Sequence, residues 1–299
     1  MSKYHKPVLL NESVDGLNID TKGIYVDVTF GGGGHSRAIL SKLDGGHLYA
    51  FDQDDEALNN DIEDEGFTLI NENFRYLKNS LRMYGVKKVD GLLADLGVSS
   101  HQLDVADRGF SIRFESDLDM RMDQNAELSA YEVLNTYEQE ELRNILKCYG
   151  ELKRPGTIAR VIYEAKQNKP IETVNELKDL LRSFAPKMQE NKFFAQVFQA
   201  IRIEVNDEFN ALRSMLLQAQ DILKPGGRLV VISYHSLEDR LVKNLIQKGD
   251  FEGELQQDFY GNKLLCFKKI TRKPILPSDA EIKINNRARS AKLRVAEKI

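Results

Sequence analysis

From Ile24 to Val98 the chain alternates short apolar runs with amphipathic stretches, and this rhythm narrows the possible folds more than any other feature. "IYVDVTF", "HLYAFDQD", "FTLINENF" and "VDGLLADLGV" are rich in β-branched and aromatic residues. "HSRAILSKL", "DEALNNDIE" and "RYLKNSLRMYG" lie between them with helical spacing. Such alternation predicts βαβ units and a parallel sheet, with right-handed crossovers placing the helices on its faces. After Leu96 the rhythm stops. "SAYEVLNTYEQEELRNILKCYG", "PGTIARVIYEAKQNK" and "TVNELKDLLRSFAP" carry helical periodicity with no strand between them, which predicts an all-helical insertion. One long helix, or two continuous ones, follows over residues 193–223 and stops at "KPGG", where the strand "RLVVISYH" begins. "FYGNK" reads as a turn before a last strand, "LLCFKKIT", as an antiparallel hairpin closing the sheet edge. The expected organisation is a discontinuous α/β domain, residues 1–103 and 206–299, interrupted by a helical domain, residues 104–205.

Composition removes several functional classes. Hydrophobic residues make up 41% of the 299, enough for a sizeable core. Cys148 and Cys266 stand far apart in no metal-ligand or disulfide spacing, and no stretch approaches a signal peptide or a membrane span. A soluble protein of the reducing cytoplasm is expected, with no membrane partner. The net charge of −4 is uneven: Lys263–Ile299 holds 11 basic and 3 acidic residues. This segment reads either as a patch that steers a polyanion or as a solvated terminal helix.

Four glycines, Gly31 to Gly34, join the first strand to the first crossover helix. Glycines there let a ligand approach the backbone closely and aim the helix start at it. A phosphate loop needs a terminal Gly-Lys-Ser/Thr, whereas His35-Ser36-Arg37 follows here, so ATP hydrolysis is disfavoured. The dinucleotide pattern fails in both registers, placing Ser36 or Arg37 at the last glycine, so NAD is the weaker choice. S-adenosylmethionine, with no pyrophosphate to neutralise, fits best. Asp52, 18 residues after Gly34 at the end of the second strand, is placed to accept from ribose hydroxyls. A tight turn beside a surface aspartate has the same spelling and stays open. Asp95 ends the fourth strand, at the edge where open α/β sheets put ligand and catalytic groups.

Methyl transfer from a sulfonium is an in-line displacement that needs alignment in a dry pocket and no metal. Neither cysteine lies near these motifs, which disfavours pyrimidine carbon-5 chemistry. An exocyclic amine could be activated by acceptors at Asp95 or at the carbonyls of Leu96 and Gly97, but "DLGVSS" lacks the prolines and aromatic of the common amino-methyltransferase motif. The pattern by itself leaves the acceptor unnamed.

"HKPVLLNESVDGL", "TFGGGGHSRAIL", "DLGVSSHQLD", "RGFS", "LDMRMD", "FQAIRIEVNDE", "KPGGRLVVISYHSLEDR" and "RARSAKLR" resemble, in order and spacing, the bacterial 16S ribosomal RNA cytosine-N4 methyltransferases. The resemblance runs from His5 to Arg294. It implies a Rossmann-like class I methyltransferase sheet interrupted by a helical domain, and we expect that insertion to take part in RNA recognition. It also implies S-adenosyl-L-methionine as cofactor, S-adenosyl-L-homocysteine as product, and methylation of N4 of one cytidine near the P site of the small ribosomal subunit. The family's cofactor contacts fall on Gly33, Gly34, His35, Asp52, Phe74, Asp95 and Gln102, with Asp95 also the catalytic candidate. Three positions depart from the family pattern: Asp117 and Asn286 stand where proline is usual, and Tyr234 stands where Phe is common. The tyrosine keeps a ring face for a base.

The remaining candidates for RNA contact are Arg108, Arg113, Arg121, Tyr234, His235, Arg287, Arg289, Lys292 and Arg294. Phe110 and Phe114 lie between arginines, as stacking faces or as core. His235 with Glu238 or Asp239 has metal-ligand spacing but lacks further ligands, so no metal is expected. Ser236 is the expected cap of the helix that follows. "LDMRMD" is compatible with a salt-bridged structural turn. A homodimer is compatible with the sequence.

Overall fold

The computed structural model describes residues 7–255 and 257–299, so His5 and Lys6 of the first motif lie outside the described residues. In chain order the first elements are α1 (Leu10–Gly16), β1 (Ile24–Asp27), α2 (Gly34–Leu40), β2 (His47–Asp52), β3 (Phe67–Asn71), α3 (Leu77–Met83) and β4 (Val89–Asp95). Helices α4 (Ser100–Asp104), α5 (Ala130–Thr136), α6 (Gln139–Cys148), α7 (Pro155–Lys166), α8 (Val174–Leu181), α9 (Glu190–Val205) and α10 (Glu208–Ile222) follow. The chain finishes with β5 (Leu223–Ser233), α11 (Ser236–Lys248), β6 (Phe267–Lys269), α12 (Asp279–Ile284) and β7 (Lys292–Lys298). It divides into an α/β unit, residues up to Gly97 with Phe209–Ile299, and a helical unit, Val98–Glu208. The helical unit starts earlier than residue 104 because Val98 and Leu103 pack against its own core.

The sheet of the α/β unit has the order β3-β2-β1-β4-β5-β7-β6. The first five strands are parallel, and β7 runs antiparallel between β5 and β6. Period-two alternation sends Val26, Leu92, Leu229 and Val231 into a core shared with Leu81, Met215 and Leu245. Tyr25, Leu93, Val230 and Ile232 point the other way, toward Val14, Leu17 and Ile39. Both faces are therefore covered, as a parallel sheet requires.

Two expected elements differ. "DEALNNDIE" forms only a short 3₁₀ turn, Asp55–Asn60, capped by Asp54. The edge strand β6 pairs with β7 and not with a preceding strand, because the basic C-terminal segment is itself a strand whose Leu293 and Val295 fill the core. Of the two readings of residues 193–223, one helix or two, the structure has two, α9 and α10, separated at Asn206 and Asp207, where Asp207 takes φ +47°.

In the helical unit, capping boxes at Ser129/Glu132, Glu138/Glu141 and Thr173/Glu176 start α5, α6 and α8, and Pro155 opens α7. "LDMRMD" turns out to be part of this core. Leu118 and Met120 are buried, and the carbonyls of Leu118 and Asp119 accept from the amides of Tyr131 and Ala130 at the start of α5, each at 2.7 Å. Asn206 clasps the same segment: its Nδ2 donates to the Met120 carbonyl at 2.8 Å, and its Oδ1 accepts from the Met122 amide at 2.7 Å.

Candidate active site

The parallel strands end together along one sheet edge, where Asp27, Asp52 and Asp95 terminate β1, β2 and β4 and Tyr234 follows β5. The glycine loop crosses this edge. Gly33 caps α2 at φ +71°, and a Cβ there would lie 2.5 Å from Arg37 Nη1 and 2.9 Å from the Phe30 ring. A Cβ at Gly34 would lie 2.2 Å from Pro7 Cγ. The loop is braced from its ends. Arg37 donates to the carbonyls of Gly32 and Asn60 at 2.7 and 2.9 Å, and Asn60 Nδ2 donates to the Gly31 carbonyl at 3.0 Å.

Beneath the loop lies Asp27, fully buried, which accepts from Ser36 Oγ at 2.7 Å and from the Thr29 amide at 3.1 Å. Burial pushes its carboxyl above the usual range, against the lowering effect of His35 and Ser36. Thr29 Oγ1 in turn accepts from the Asp95 amide at 2.7 Å, linking the ends of β1 and β4. Asp27 and Thr29 were not among the expected site residues; an acid ending an apolar strand just before glycines was the signal available.

Asp52 holds the other side of the loop. Its Oδ2 accepts from the Gly31 amide at 2.7 Å and its Oδ1 from the Asp54 amide at 3.0 Å. An ionised carboxylate offers about four lone-pair positions, so two remain for a pair of vicinal hydroxyls. Burial raises Asp52 to about 6. The Glu72 amide donates to the Asp52 carbonyl at 3.0 Å, which brings the end of β3, and Phe74 after it, alongside. Phe74 packs partly against the sheet core, as a wall beside an adenine would. These residues fit an adenosyl group.

Asp95 accepts from the Tyr234 hydroxyl at 2.8 Å through Oδ1, and its Oδ2 lies 3.7 Å from His35 Nδ1. Burial raises its carboxyl to about 6, with His35 and the Tyr234 hydroxyl opposing. Burial beside Asp95 drives Tyr234 far above the ordinary phenol value, so it stays a donor. The His35 ring points inward, with Nε2 3.1 Å from the Val8 carbonyl.

His235, not Ser236, is the cap of α11: its Nδ1 accepts from the Glu238 amide at 3.4 Å. Buried Glu238 accepts in return from the amides of Tyr234 and His235, at 2.9 and 3.3 Å. No group of three or more metal-ligating side chains occurs among the described residues.

The expected RNA contacts fall in both units. Arg108 is buried in the helical unit, where its Nη2 donates to the Arg121 and Met122 carbonyls at 2.9 and 3.3 Å, and Phe110 is core. Arg121 forms a two-pronged pair with Asp119 and donates to the Ala126 carbonyl. Arg113 is exposed beside Phe114, with Asp104 at 3.7 Å. Gln102, in the same unit, has its side-chain carbonyl engaged by the Ser99 amide in a capping box. In the α/β unit, Arg289 is exposed, Arg287 half-buried, and Lys292 lies 3.7 Å from Asp239. Arg294 is turned inward from β7 into a two-pronged pair with Asp239 at 2.6 and 3.1 Å. Arg108 and Arg294 thus have guanidinium groups engaged in the interior. Arg294→Ala is expected to cost about 2 kcal/mol in urea unfolding, below the usual 3–5 for breaking a buried pair because Lys292 still faces Asp239.

The parallel order β3-β2-β1-β4-β5, the glycine loop after β1 and the acidic ends of β2 and β4 place the α/β unit in the Rossmann-like class of nucleotide-cofactor folds. The chain matches the MraW methylase family over residues 2–299. It is 60% identical over 298 residues to the ribosomal RNA small subunit methyltransferase H of Flavobacterium johnsoniae, covering 99% of this chain and 98% of that one. It is 56% identical over 297 residues to the protein of that name from Cytophaga hutchinsonii, covering 99% of each. The protein belongs to the MraW methylase family.

Proposed function

We infer that this protein transfers the methyl group of S-adenosylmethionine to the exocyclic N4 of a cytidine in 16S ribosomal RNA, close to the P site of the small subunit. The observation that carries this reading is identity of 60% across essentially the whole length to a relative named for methylation of small-subunit rRNA. The site agrees with it in chemistry. When bound, the cofactor supplies an electrophilic methyl group on a sulfonium. Asp52 and the loop backbone orient its sugar and amino-acid ends, and Phe74 borders the base.

The target amine is a weak nucleophile because its lone pair is shared with the ring. An acceptor hydrogen-bonded to the amine N–H localises that pair and stabilises the positive charge that develops. Asp95 is that acceptor in this reading. Tyr234 occupies Oδ1, so Oδ2 is left for the amine, and a carboxyl titrating near pH 6 can take the proton and return it to water. The work takes place where ribosomal subunits are, in the cytoplasm, and no helix among the described residues is long and apolar enough to cross a membrane.

The decisive measurement is nucleoside mass spectrometry of rRNA from cells with and without this chain. N4-methylcytidine present in both would overturn the reading. Within the site, Asp52→Asn should weaken S-adenosylmethionine binding about tenfold in calorimetry, since a charge-assisted hydrogen bond contributes about 1.5–3 kcal/mol. Unchanged affinity would remove Asp52 from the cofactor site.

A further inference from the structure

Between α11 and β6 the chain makes an excursion that the methylation site does not use. Its tip is a built turn. Gln257 and Lys263 bridge in antiparallel fashion. Asp258 Oδ1 accepts from the amides of Tyr260 and Asn262 at 2.9 and 2.8 Å, its Oδ2 accepts from Asn262 Nδ2 at 2.9 Å, and Gly261 takes φ +82°. The base is anchored as well: Phe251 packs against the sheet core, and Asn244 Nδ2 donates to its carbonyl at 2.9 Å.

This ordered turn holds two aromatic side chains out in solvent. Phe259 is 97% exposed and Tyr260 86%, with ring centroids 5.6 Å apart and planes at 87°. A phenylalanine is ordinarily an interior residue, and two adjacent bare rings on a tethered turn form an apolar spot that a partner would cover.

Charge identifies the partner. From Gln257 to Lys273 there are five basic residues, Lys263, Lys268, Lys269, Arg272 and Lys273, and one acid, Asp258, which is engaged in the turn. All five are exposed and none has an ion-pair partner among the described residues. In a chain of net charge −4 this is a local inversion. Lysines on the edge strand β6 also discourage pairing with a second sheet, but that role needs no aromatic pair. Bare rings beside unpaired cations are the composition of sites for single-stranded nucleic acid, where bases stack on the rings and phosphates meet the lysines.

We propose that the Gln257–Lys263 turn is an RNA-stacking finger, in which Phe259 and Tyr260 pack on unpaired bases of the ribosomal RNA and the adjoining basic residues hold its phosphates. The proposal rests on rRNA being the substrate. Losing the stacking should weaken engagement of the substrate without touching the chemistry.

The test uses the full chain and small subunits lacking the modification. In the double variant Phe259→Ala, Tyr260→Ala the KM for small subunits should rise about tenfold or more, with kcat and S-adenosylmethionine affinity unchanged. The sequence contains no tryptophan, so Phe259→Trp makes a single reporter at the tip. It should retain the wild-type KM and be quenched by protein-free 16S rRNA. An unmoved KM in the double variant overturns the finger. So does emission that shifts with intact subunits but not with protein-free RNA, which marks a protein partner, or that changes with protein concentration alone, which marks a second copy. If the wild-type chain transfers no methyl group, the functional reading fails, and quenching by RNA still decides the finger.

Discussion

Asp95→Asn is expected to lower kcat for methylation of small subunits by about 100- to 1,000-fold, the scale on which losing a preorganised charged acceptor acts, with a smaller effect on cofactor affinity. The same substitution should make the fold more stable at neutral pH. Burial raises Asp95 from an ordinary 3.8 to about 6, so the native state holds this proton more tightly than the unfolded chain does. The resulting stabilisation is complete below about pH 4 and lost as pH climbs through about 6, leaving an ionised carboxylate that costs up to about 3 kcal/mol above it. The side chain is 22% exposed, and solvent reduces that cost. Asparagine keeps an acceptor for the Tyr234 hydroxyl and carries no charge, so a gain of about 1–2 kcal/mol at pH 8 is expected. Wild-type kcat/KM should correspondingly rise through pH 6 as Asp95 ionises. Urea unfolding at pH 5 and pH 8, set beside single-turnover rates, checks both halves. A variant that is inactive and also less stable at pH 8 would mean that the negative charge is needed by the fold itself.

Gly33→Ala should cost about 2–5 kcal/mol in unfolding free energy, combining the left-handed backbone penalty with overpacking of the interior. Gly33 sits at φ +71°, and the new methyl group would lie 2.9 Å from the ring of Phe30. Phe30 cannot yield easily, because it is 3% exposed and its ring packs at 5.6 Å from that of Phe67. The loop must move instead, carrying Gly31 away from Asp52, and S-adenosylmethionine binding should fall with stability. Calorimetry and thermal unfolding measure the two losses. Gly45→Ala is the control for backbone strain alone, since Gly45 has φ +82° with nothing within 4 Å of its Cβ position. Equal losses in both variants would show that packing against Phe30 adds nothing.

How far the site could be read from the sequence depended on whether a residue's role is local. The glycines, Asp52 and Asp95 are legible because a strand end followed by a turn constrains both backbone and chemistry within a few residues. Tyr234 could be suspected as a base face, but its hydrogen bond to Asp95 joins residues 139 apart in sequence. Arg294 and Lys292 looked like a basic tail. Their strand is hidden in "KLRVAEK" because its charged side chains alternate with Leu293 and Val295, and pairing with β5 is what draws it into the sheet. Burial of Arg108 was equally invisible, since its partners are backbone carbonyls of Arg121 and Met122, which carry no sequence signature.

By itself the sequence determined the α/β rhythm, the helical interruption, the glycine loop after the first strand and the family, because periodicity, turn chemistry and motif spacing are properties of neighbouring residues. The tertiary structure decided which charges are exposed and which are interior struts. It paired Arg294 with Asp239, turned His35 inward beneath the loop, and left Phe259 and Tyr260 bare. Burial and partnership depend on what distant segments bring to the same place, and that is settled only when the chain has closed on itself.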